Sequence, residues 1–267
     1  MSDDLCTYDV ADGVAVLSFN RPESMNGMTG NMEVAYFERL LQAQEDRQVR
    51  VIVVTGKGRA FCPGADLAHR PGPDDHPLPN ETIARTTPLD IAKPMIAAIN
   101  GACAGAGLAY ALQCDLRFTV AGAKFTTAFA RRGLIAEYGV AWLLNQIVGR
   151  AVAADLLLSA RVLRSDEAEE LGLVNRVVAS DELMDTVMTY ATNLAVNVSP
   201  ASMATIKHQL NTEVDMTAHE ALANAEELMT ESHAGSDVGE GIASFLERRP
   251  VAFPSLGEGT TFGWMDD

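Results

Sequence analysis

The chain contains 267 residues, 48% of them hydrophobic, which is enough apolar material for one large domain or for one domain with a small appendage. A formal net charge of −16 and a pI of about 4.6 argue against nucleic-acid binding, because that requires a basic surface. No apolar run approaches the roughly 18 residues of a membrane span, and the acidic N-terminus lacks the features of a signal peptide, so we expect a cytoplasmic protein without a membrane partner.

The N-terminal part of the chain predicts a hairpin, a helix and a third strand. Val14–Phe19 is typical of a strand, and Tyr8–Val10 is its expected hairpin partner. Apolar residues recur at helical spacing over Asn31–Asp46, with Thr29 as the expected N-cap. Val51–Thr55 is apolar throughout and predicts a buried strand.

A glycine-containing loop follows this third strand, and a proline-rich stretch follows the loop. The loop, Gly56–Leu67, presents its backbone near Gly64. His69–Pro79 contains four prolines and a glycine, which preclude regular structure. The stretch suits either a flap over a ligand site or a mobile surface loop. His69 and His76 are poor candidates for acid–base catalysis, because an exposed loop does not hold them in a fixed geometry.

A second strand and glycine-containing loop occupy Ile96–Cys114. Met95–Ile99 is typical of a buried strand, and the Ala- and Leu-rich run Gly105–Cys114 predicts a helix. A helix N-terminus leaves backbone N–H groups unpaired, and small residues let a ligand approach them. Alone, this turn is equally typical of a helix packed closely on a strand. Together with Gly56–Leu67 it could aim a second N–H at the same oxygen and form an oxyanion hole.

The remainder alternates strands and helices and then becomes entirely helical. Further strands are predicted at Leu116–Val120, Lys124–Thr126 and Val174–Val178. Helices are predicted at Gly139–Val148, Ala151–Ser159, a segment capped by Ser165 that ends at Leu171–Gly172, Asp181–Val196, Pro200–Asn211, Thr217–His233 and Asp237–Glu247. We therefore expect an α/β core with the active site over residues 1–195, a helical oligomerisation region over 196–253, and a polar tail, 254–267, that is mobile or an oligomer contact.

The two loop segments carry a family resemblance. TGKGRAFCPGADL and INGACAGAGLAYALQCDLRF resemble the signature segments of the crotonase superfamily, the enoyl-CoA hydratase/isomerase family, and the similarity runs from Tyr8 to Phe253. The resemblance implies a crotonase-like spiral of ββα units with a helical C-terminal region, packed as a homotrimer or a dimer of trimers. It implies an acyl-CoA thioester as substrate, with coenzyme A as part of that substrate and no separate cofactor.

The resemblance also assigns site residues. It places the two oxyanion-hole N–H groups at Ala65 and Ala106. It places the path of the coenzyme A and acyl groups along Met25, Ala60, Gly64, Asp66, Leu67 and Gly105. Asp66 is expected to fix its loop and not to react. We expect no metal ion, because the His, Cys, Asp and Glu residues show no metal-ligand spacing. The four cysteines are expected to be buried thiols of a reduced protein.

The sequence departs from the hydratase pattern at two positions. By residue count, the two glutamates of the family's hydratases fall at Ala109 and Phe129, and neither residue can activate water. Phe129 is instead expected to form a wall of the substrate site. One acid remains in the corresponding segment, Glu137, where some isomerases of the superfamily carry an acidic residue. Glu137 could instead be only the first-turn acid of a helix, and Tyr138 could either assist it by hydrogen bonding or serve in packing.

A single carboxylate can move a proton between two carbons. The sequence therefore favours double-bond isomerisation by Glu137 through a thioester enolate. The alternatives are a hydratase, hydrolase or decarboxylase variant that positions water differently, or a catalytically weak acyl-CoA-binding homologue. The phosphates of coenzyme A would need local positive charge on this acidic chain, and Lys57 and Arg59 are among the candidates.

Overall fold

Two β-sheets form the centre of the computed structural model, which describes residues 5–69 and 83–265. The strands are β1 (Cys6–Ala11), β2 (Val14–Phe19), β3 (Val51–Gly56), β4 (Ala60–Cys62), β5 (Met95–Ile99), β6 (Ala102–Ala104), β7 (Leu116–Val120), β8 (Lys124–Thr126), β9 (Leu163–Arg164) and β10 (Arg176–Val178). The large sheet has the order β1-β2-β3-β5-β7-β10 and is parallel except for the β1–β2 hairpin, and the small sheet has the order β4-β6-β8-β9.

The helices lie between and after these strands. They are α1 (Gly30–Glu45), α2 (Thr87–Asp90), α3 (Ala106–Leu112), α4 (Val140–Ser159), α5 (Ser165–Glu170), α6 (Leu183–Asn197), α7 (Pro200–Thr212), α8 (Ala218–Ala234) and α9 (Ser236–Glu247). α1 packs against β1 and β2, and α6 packs against β2, β3, β5 and β7. β3 and β5 are fully buried, as expected for parallel strands that are covered on both faces.

From β3 to β8, successive strands alternate between the two sheets. β3 is followed by β4, β5 by β6 and β7 by β8, and each pair is followed along the chain by a helix, α2, α3 or α4. Each repeat therefore contributes one strand to each sheet and is followed by one helix. This is a spiral of ββα units with a helical C-terminal region, so the predicted fold class is confirmed.

The structure refines several predicted elements. Thr29 caps α1 as expected, because its hydroxyl accepts a hydrogen bond from the Met32 N–H. Ser165 does not cap α5; it is the first helical residue, and its hydroxyl accepts a hydrogen bond from the Gly122 N–H. The two helices predicted on either side of residue 150 are confirmed as two helical segments within α4, which meet at Gly149, where φ +73° and ψ +163° are not helical.

One helix among the described residues, α4, has the length and apolar composition of a membrane span. It is kinked at Gly149, and Leu144, Ala153 and Leu156 lie in the hydrophobic core. A core helix passes the same test of length and composition, so this similarity is weak evidence for a membrane segment.

The tail packs against its own chain over residues 254–265. Asp237, the second residue of α9, is 5% exposed and accepts hydrogen bonds from the N–H and the hydroxyl of Thr260. Trp264 stacks on His208 of α7 at 4.3 Å between ring centroids. Asp237 and His208 therefore give residues 254–265 partners within their own chain, and the expectation that the tail is mobile or an oligomer contact stays a prediction. The proposed domain boundaries at 195 and 253 stay a prediction.

Candidate active site

The first signature loop exposes a backbone N–H at Ala65. Met28 and Ala65 form an isolated parallel bridge, in which the Met28 N–H donates to the Gly64 carbonyl at 2.8 Å and the Asp66 N–H donates to the Met28 carbonyl at 2.9 Å. The Ala65 N–H belongs to neither bond, and no hydrogen bond among residues 5–69 and 83–265 uses it as donor. Gly64 has φ +108°, a conformation that residues with a β-carbon rarely adopt.

The second signature loop places the backbone N–H of Ala106, a residue that is only 2% exposed, at the start of α3. Ala106 is the first residue of α3, so its N–H has no partner within the helix. Gly105, at φ +51° and ψ −121°, makes the turn from β6 into α3, and its N–H donates to the Thr126 carbonyl at 3.2 Å. A β-carbon on Gly107 would lie 2.1 Å from the Cys62 carbonyl oxygen, so only glycine lets α3 pack this closely on β4.

The two loops meet at the end of the small sheet. β4 pairs in parallel with β6, so their loops leave the same end of the sheet. A β-carbon built on Gly64 would lie 3.2 Å from the Ala104 carbonyl oxygen, and one built on Gly105 would lie 3.6 Å from Gly64 Cα. The backbones next to Ala65 and Ala106 are therefore close together, and the formation of an oxyanion hole by their two N–H groups stays a prediction.

An N-terminal turn braces the first loop. Asn26 is fully buried at φ +62°, and its side-chain amide donates to the carbonyls of Lys57 and Ala60. Arg21 donates to the Asp66 carboxylate at 3.0 Å, and this bond lowers the pKa of Asp66. Asp66 also accepts from the N–H groups of Ala68 and His69, so it fixes the loop as expected.

The predicted substrate path is only partly accessible. Met25 and Leu67 are 37% and 67% exposed, and Ala65 is exposed between the braces of its loop. Ala60 is 1% exposed, so its side chain is not accessible to a ligand in this structure. Its carbonyl accepts a hydrogen bond from the Asn26 side-chain amide. The proline-rich flap candidate falls largely on residues 70–82, outside the described residues.

The two positions that carry glutamate in hydratases are buried and apolar. Ala109 is fully buried on α3 and Phe129 is 5% exposed. Phe129 lies just beyond Thr126 and Thr127; the carbonyl of Thr126 accepts a hydrogen bond from the Gly105 N–H, and that of Thr127 lies within 4.0 Å of a β-carbon built on Gly105. This neighbourhood agrees with Phe129 as a wall near the oxyanion loops, and that role stays a prediction.

Glu137 lies in a sharp turn before α4. Its carbonyl accepts from the Val140 N–H, and helix α4 begins only at Val140, so Glu137 is not a first-turn acid of that helix. Its side chain is partly exposed and makes no hydrogen bond or ion pair with any described residue. Arg131 and Arg132 are exposed and donate to the carbonyls of Ser159 and Ala128, so neither pairs with Glu137.

A buried carboxylate that the sequence did not single out lies beside this turn. Glu33 of α1 is 4% exposed and accepts a hydrogen bond from the Tyr110 hydroxyl at 2.6 Å. Arg85 binds both of its oxygens at 3.2 Å and lies over the ring of Tyr138. Burial, followed by the charge of Glu33, raises the pKa of Tyr138. The sequence contains one signal for this buried carboxylate: Glu33 is an acidic residue among the apolar positions of α1, four residues before the buried Phe37.

A groove of about 920 Å³ lies at the opposite end of α3. It is lined by Gln113, Trp142, Lys207, His208 and Trp264, among others. This groove begins where α3 ends, whereas the Ala106 N–H lies where α3 begins, so the groove is not part of the candidate site. No cluster of three or more His, Cys, Asp and Glu residues suited to a metal ion occurs in the part of the chain that the structure describes.

Comparison with known proteins identifies the family. The family model described as Enoyl-CoA hydratase/isomerase matches residues 9–255. The chain belongs to the enoyl-CoA hydratase/isomerase family. It is 34% identical over 254 residues to the 1,2-epoxyphenylacetyl-CoA isomerase of Escherichia coli (strain K12), which covers 91% of this chain and 96% of that protein. It is also 34% identical over 253 residues to a probable enoyl-CoA hydratase of Rhodobacter capsulatus, over 92% of this chain and 96% of that protein.

A solved structure agrees with this assignment. The crystal structure of a probable enoyl-CoA hydratase/isomerase from Mycobacterium abscessus matches with a TM-score of 0.85 at 28% identity, covering 94% of this chain and 99% of that one. The predicted superfamily is therefore confirmed, and the protein is an acyl-CoA enzyme of the enoyl-CoA hydratase/isomerase family. The family contains both hydratases and isomerases, so membership leaves the reaction open.

Proposed function

We propose that this protein moves a double bond within an acyl-CoA thioester, with Glu137 as the only proton-transferring carboxylate. The observation that carries the proposal is the contrast between three positions. Glu137 is a partly exposed acid on the turn before α4, whereas Ala109 and Phe129 are buried and apolar. The hydration mechanism of the family uses two carboxylates, and this chain has no acidic residue at either of those positions. Proton transfer between two carbons needs only one carboxylate.

The proposed reaction balances without a co-reactant. Glu137 removes a proton from the α carbon of a 3-enoyl-CoA, and the electron pair moves onto the thioester oxygen to form a dienolate. The N–H groups of Ala65 and Ala106 stabilise that negative charge where it develops. Glu137, now protonated, returns the proton to the γ carbon, which leaves the double bond between the α and β carbons and restores the carboxylate.

Coenzyme A binding is expected to rely on local positive charge. Lys57 and Arg59 are exposed on the loop between β3 and β4, next to the first oxyanion loop. They could meet the phosphates of coenzyme A although the chain as a whole is acidic. No further cofactor is required for the proposed proton transfer.

The names of the relatives support isomerisation and also leave hydration as an alternative reaction. The Escherichia coli relative is named an isomerase of a CoA ester, and other relatives are named enoyl-CoA hydratases. Hydration by Glu137, with a water held by other groups, is therefore the second candidate. Product analysis separates the two, because hydration of a 2-enoyl-CoA adds a hydroxyl and isomerisation leaves the mass unchanged.

Proton exchange in D2O tests the proposal. The protein is incubated with short saturated and 3-enoyl-CoA esters, and deuterium at the α and γ carbons is followed by mass spectrometry. We expect incorporation that is lost in Glu137→Gln and retained in the control Glu170→Gln, whose carboxylate is exposed on α5. Exchange that survives in Glu137→Gln would show that Glu137 is not the base. Acyl-CoA binding without any exchange would favour a binding protein that lacks the family's proton chemistry.

A further inference from the structure

The buried carboxylate of Glu33 joins three parts of the chain that are distant in sequence. Its two oxygens accept from the Arg85 guanidinium at 3.2 Å each, and one of them also accepts from the Tyr110 hydroxyl at 2.6 Å. The Glu33 side chain is 5% exposed, whereas that of Arg85 is 39% exposed. A buried carboxylate is tolerated only when it is paired, so this bonding holds Arg85 and Tyr110 in place.

Arg85 and Tyr110 both contact Tyr138. The Arg85 guanidinium carbon lies 5.3 Å from the centroid of the Tyr138 ring, within the range of a cation–π contact. The Tyr110 ring meets the Tyr138 ring edge-on, with centroids 6.0 Å apart and planes at 72°. The Tyr138 ring is thus held on one side by a cation and on another by a fixed aromatic ring.

The backbone of Tyr138 depends on this packing. Tyr138 has φ +56° and is followed by Gly139 at φ +71°, so two consecutive residues are left-handed. Tyrosine rarely adopts this region, because its β-carbon crowds the following carbonyl, and such residues persist only where their surroundings impose the conformation. Since the preceding residue is Glu137, the position of the Tyr138 ring sets the direction in which the Glu137 side chain leaves the turn.

Tyr110 also connects this cluster to α3, the helix whose first residue, Ala106, carries the proposed oxyanion N–H. Tyr110 lies four residues after Ala106 on α3, which places the two residues on one face of the helix, about one turn apart. Tyr110 itself is fully buried and packs edge-on against Tyr36 and, more tilted, against Phe19. A shift of Tyr138 relative to Tyr110 would therefore move Glu137 relative to the Ala106 N–H.

We propose that Glu33, Arg85 and Tyr110 form a clamp on the Tyr138 ring that positions Glu137 against the oxyanion N–H of Ala106. Glu33, Arg85, Tyr110 and Tyr138 are positioning residues in this assignment, and none of them exchanges a proton with the substrate. The inference rests on the proposed function, because it concerns the geometry between the proposed base and the proposed oxyanion donor. Misplacing a reacting group by about 1 Å can cost 10²-fold in rate, so the clamp is expected to affect turnover more than binding.

Substitutions at the two ends of the clamp test this proposal in the exchange assay. We expect Arg85→Met and Tyr138→Gly each to slow exchange by about 10- to 100-fold, while the Kd for a saturated acyl-CoA changes by less than about threefold. Tyr138→Gly also relaxes the left-handed backbone, so a rate loss at an undiminished melting temperature separates positioning from simple destabilisation. Tyr138→Phe keeps the ring and both of its contacts, and we expect it to exchange at nearly the wild-type rate.

Two further variants complete the test. The double variant Arg85→Met with Tyr138→Gly should be no slower than the slower single variant, because one clamp cannot be lost twice. Arg131→Met is the matched control, since Arg131 is an arginine of the neighbouring segment that donates to the Ser159 carbonyl and lies outside the clamp. It should leave the rate unchanged.

The outcomes separate the clamp from the proposed function. Wild-type exchange that depends on Glu137 but is unchanged in Arg85→Met and Tyr138→Gly would overturn the clamp alone. Equal losses in Tyr138→Phe and Tyr138→Gly would also overturn it, because they would assign the effect to the hydroxyl. Wild-type protein without exchange, or exchange unaffected by Glu137→Gln, would overturn the proposed function, and the clamp with it.

Discussion

Gly107 shows how narrowly a single position sets the geometry of the oxyanion loop. It follows Ala106 directly, and a β-carbon at this position would lie 2.1 Å from the Cys62 carbonyl oxygen and 2.6 Å from the Cys62 β-carbon. The carbonyl belongs to backbone at the end of β4 and cannot swing aside as a flexible side chain could. Any residue larger than glycine must push the start of α3 away from the small sheet.

We therefore predict that Gly107→Ala lowers both stability and turnover. Overpacking of this kind costs about 1–3 kcal/mol in the free energy of unfolding, and the shift moves the Ala106 N–H away from the developing charge. Urea denaturation and the exchange assay measure the two effects. Gly239→Ala is the control, because Gly239 is inside α9 with open space around it, and alanine there should add about 0.5–1 kcal/mol. Equal stabilities of the two variants would contradict the close packing of α3 on β4.

Residue-scale prediction from the sequence succeeded where a motif carries the backbone and failed where a contact is long-range. The loops around Ala65 and Ala106 can be recognised in the sequence by their glycines, and the two loops lie next to each other in the structure. The bond from Tyr110 to Glu33 spans 77 residues and that from Arg85 spans 52. The position of Glu33 among the apolar residues of α1 indicates that its side chain is buried, but no local pattern identifies Tyr110 and Arg85 as its partners.

At the scale of elements, the long helices and the short strand β8 (Lys124–Thr126) were predictable from the sequence, whereas the short strands β4 and β6 were not. The predicted helix over Asn31–Asp46 differs from α1 by one residue at each end, because its apolar period and its Thr29 cap are both local. β4 and β6 have three residues each and are rich in alanine and cysteine, and the sequence pattern predicts loops at both positions. They are strands because they pair with each other and because β6 also pairs with β8, and no pattern within either segment predicts this pairing.

The junction of α7, α9 and the tail depends on one aspartate. The Asp237 carboxylate accepts from the hydroxyls of Ser199 and Thr260 and from the Thr260 N–H, so all of these groups are donors to the carboxylate. Asn would present an NH2 group to donors and leave at least one bond unmade. We predict that Asp237→Asn lowers the free energy of unfolding by about 1–3 kcal/mol and speeds amide exchange in residues 254–265.

Urea denaturation and hydrogen exchange read by mass spectrometry check this prediction. Asp185→Asn serves as the comparison, because Asp185 is exposed on α6 and makes no hydrogen bond or ion pair with any described residue. A tail that keeps wild-type amide protection in Asp237→Asn would show that Trp264 and its neighbours hold it without the aspartate.

At the scale of the whole molecule, the C-terminal helices leave apolar surface uncovered. α8 has no buried residue, and α9 exposes Ile242, Phe245 and Leu246, the last two at 81% and 72%. Contiguous apolar surface of this kind is typical of an interface between subunits. This agrees with the expected homotrimer or dimer of trimers, which stays a prediction.

We predict that Phe245→Glu lowers the oligomeric mass, because a carboxylate would be buried without a partner in the interface. Light scattering on the wild type should give three or six times the 28.5 kDa of one chain. Val10→Glu, on the exposed edge strand β1, should keep the wild-type mass. A wild-type protein that is monomeric at micromolar concentration would contradict the assignment of these helices to an interface.

The pH dependence of stability follows from groups spread through the core. Burial raises the pKa of the Cys6, Cys62 and Cys114 thiols from 9.0 to about 12, and it raises that of Cys103 as well. Above about pH 9 the unfolded chain loses thiol protons that the folded chain keeps. The folded state then binds more protons, so the free energy of unfolding falls as pH rises, by up to about 1.4 kcal/mol per pH unit for each thiol.

Lys93 acts in the opposite direction. It is 4% exposed, and burial lowers its pKa from 10.5 to about 8, with its ammonium donating to the Ala43 and Asp46 carbonyls. Between about pH 8 and 10.5 the unfolded chain binds this proton more tightly, so Lys93 alone makes stability rise with pH. As pH rises, Lys93 increases the free energy of unfolding from about pH 8, and the four thiols begin to decrease it as the pH approaches 9. We therefore predict that stability passes through a maximum slightly above about pH 8 and then falls.

Urea denaturation between pH 7 and 10.5, with a reductant and at one protein concentration, measures this curve. Cys103→Ala should lower stability at every pH, because it removes a buried group, but it should make the fall above pH 9 shallower by about one proton. Lys93→Met should remove the rise below the stability maximum and steepen the fall above it, because the rising contribution of Lys93 extends to about pH 10.5. A curve that rises steadily to pH 10.5, or a fall that Cys103→Ala leaves equally steep, would show that the thiols do not set the alkaline limit.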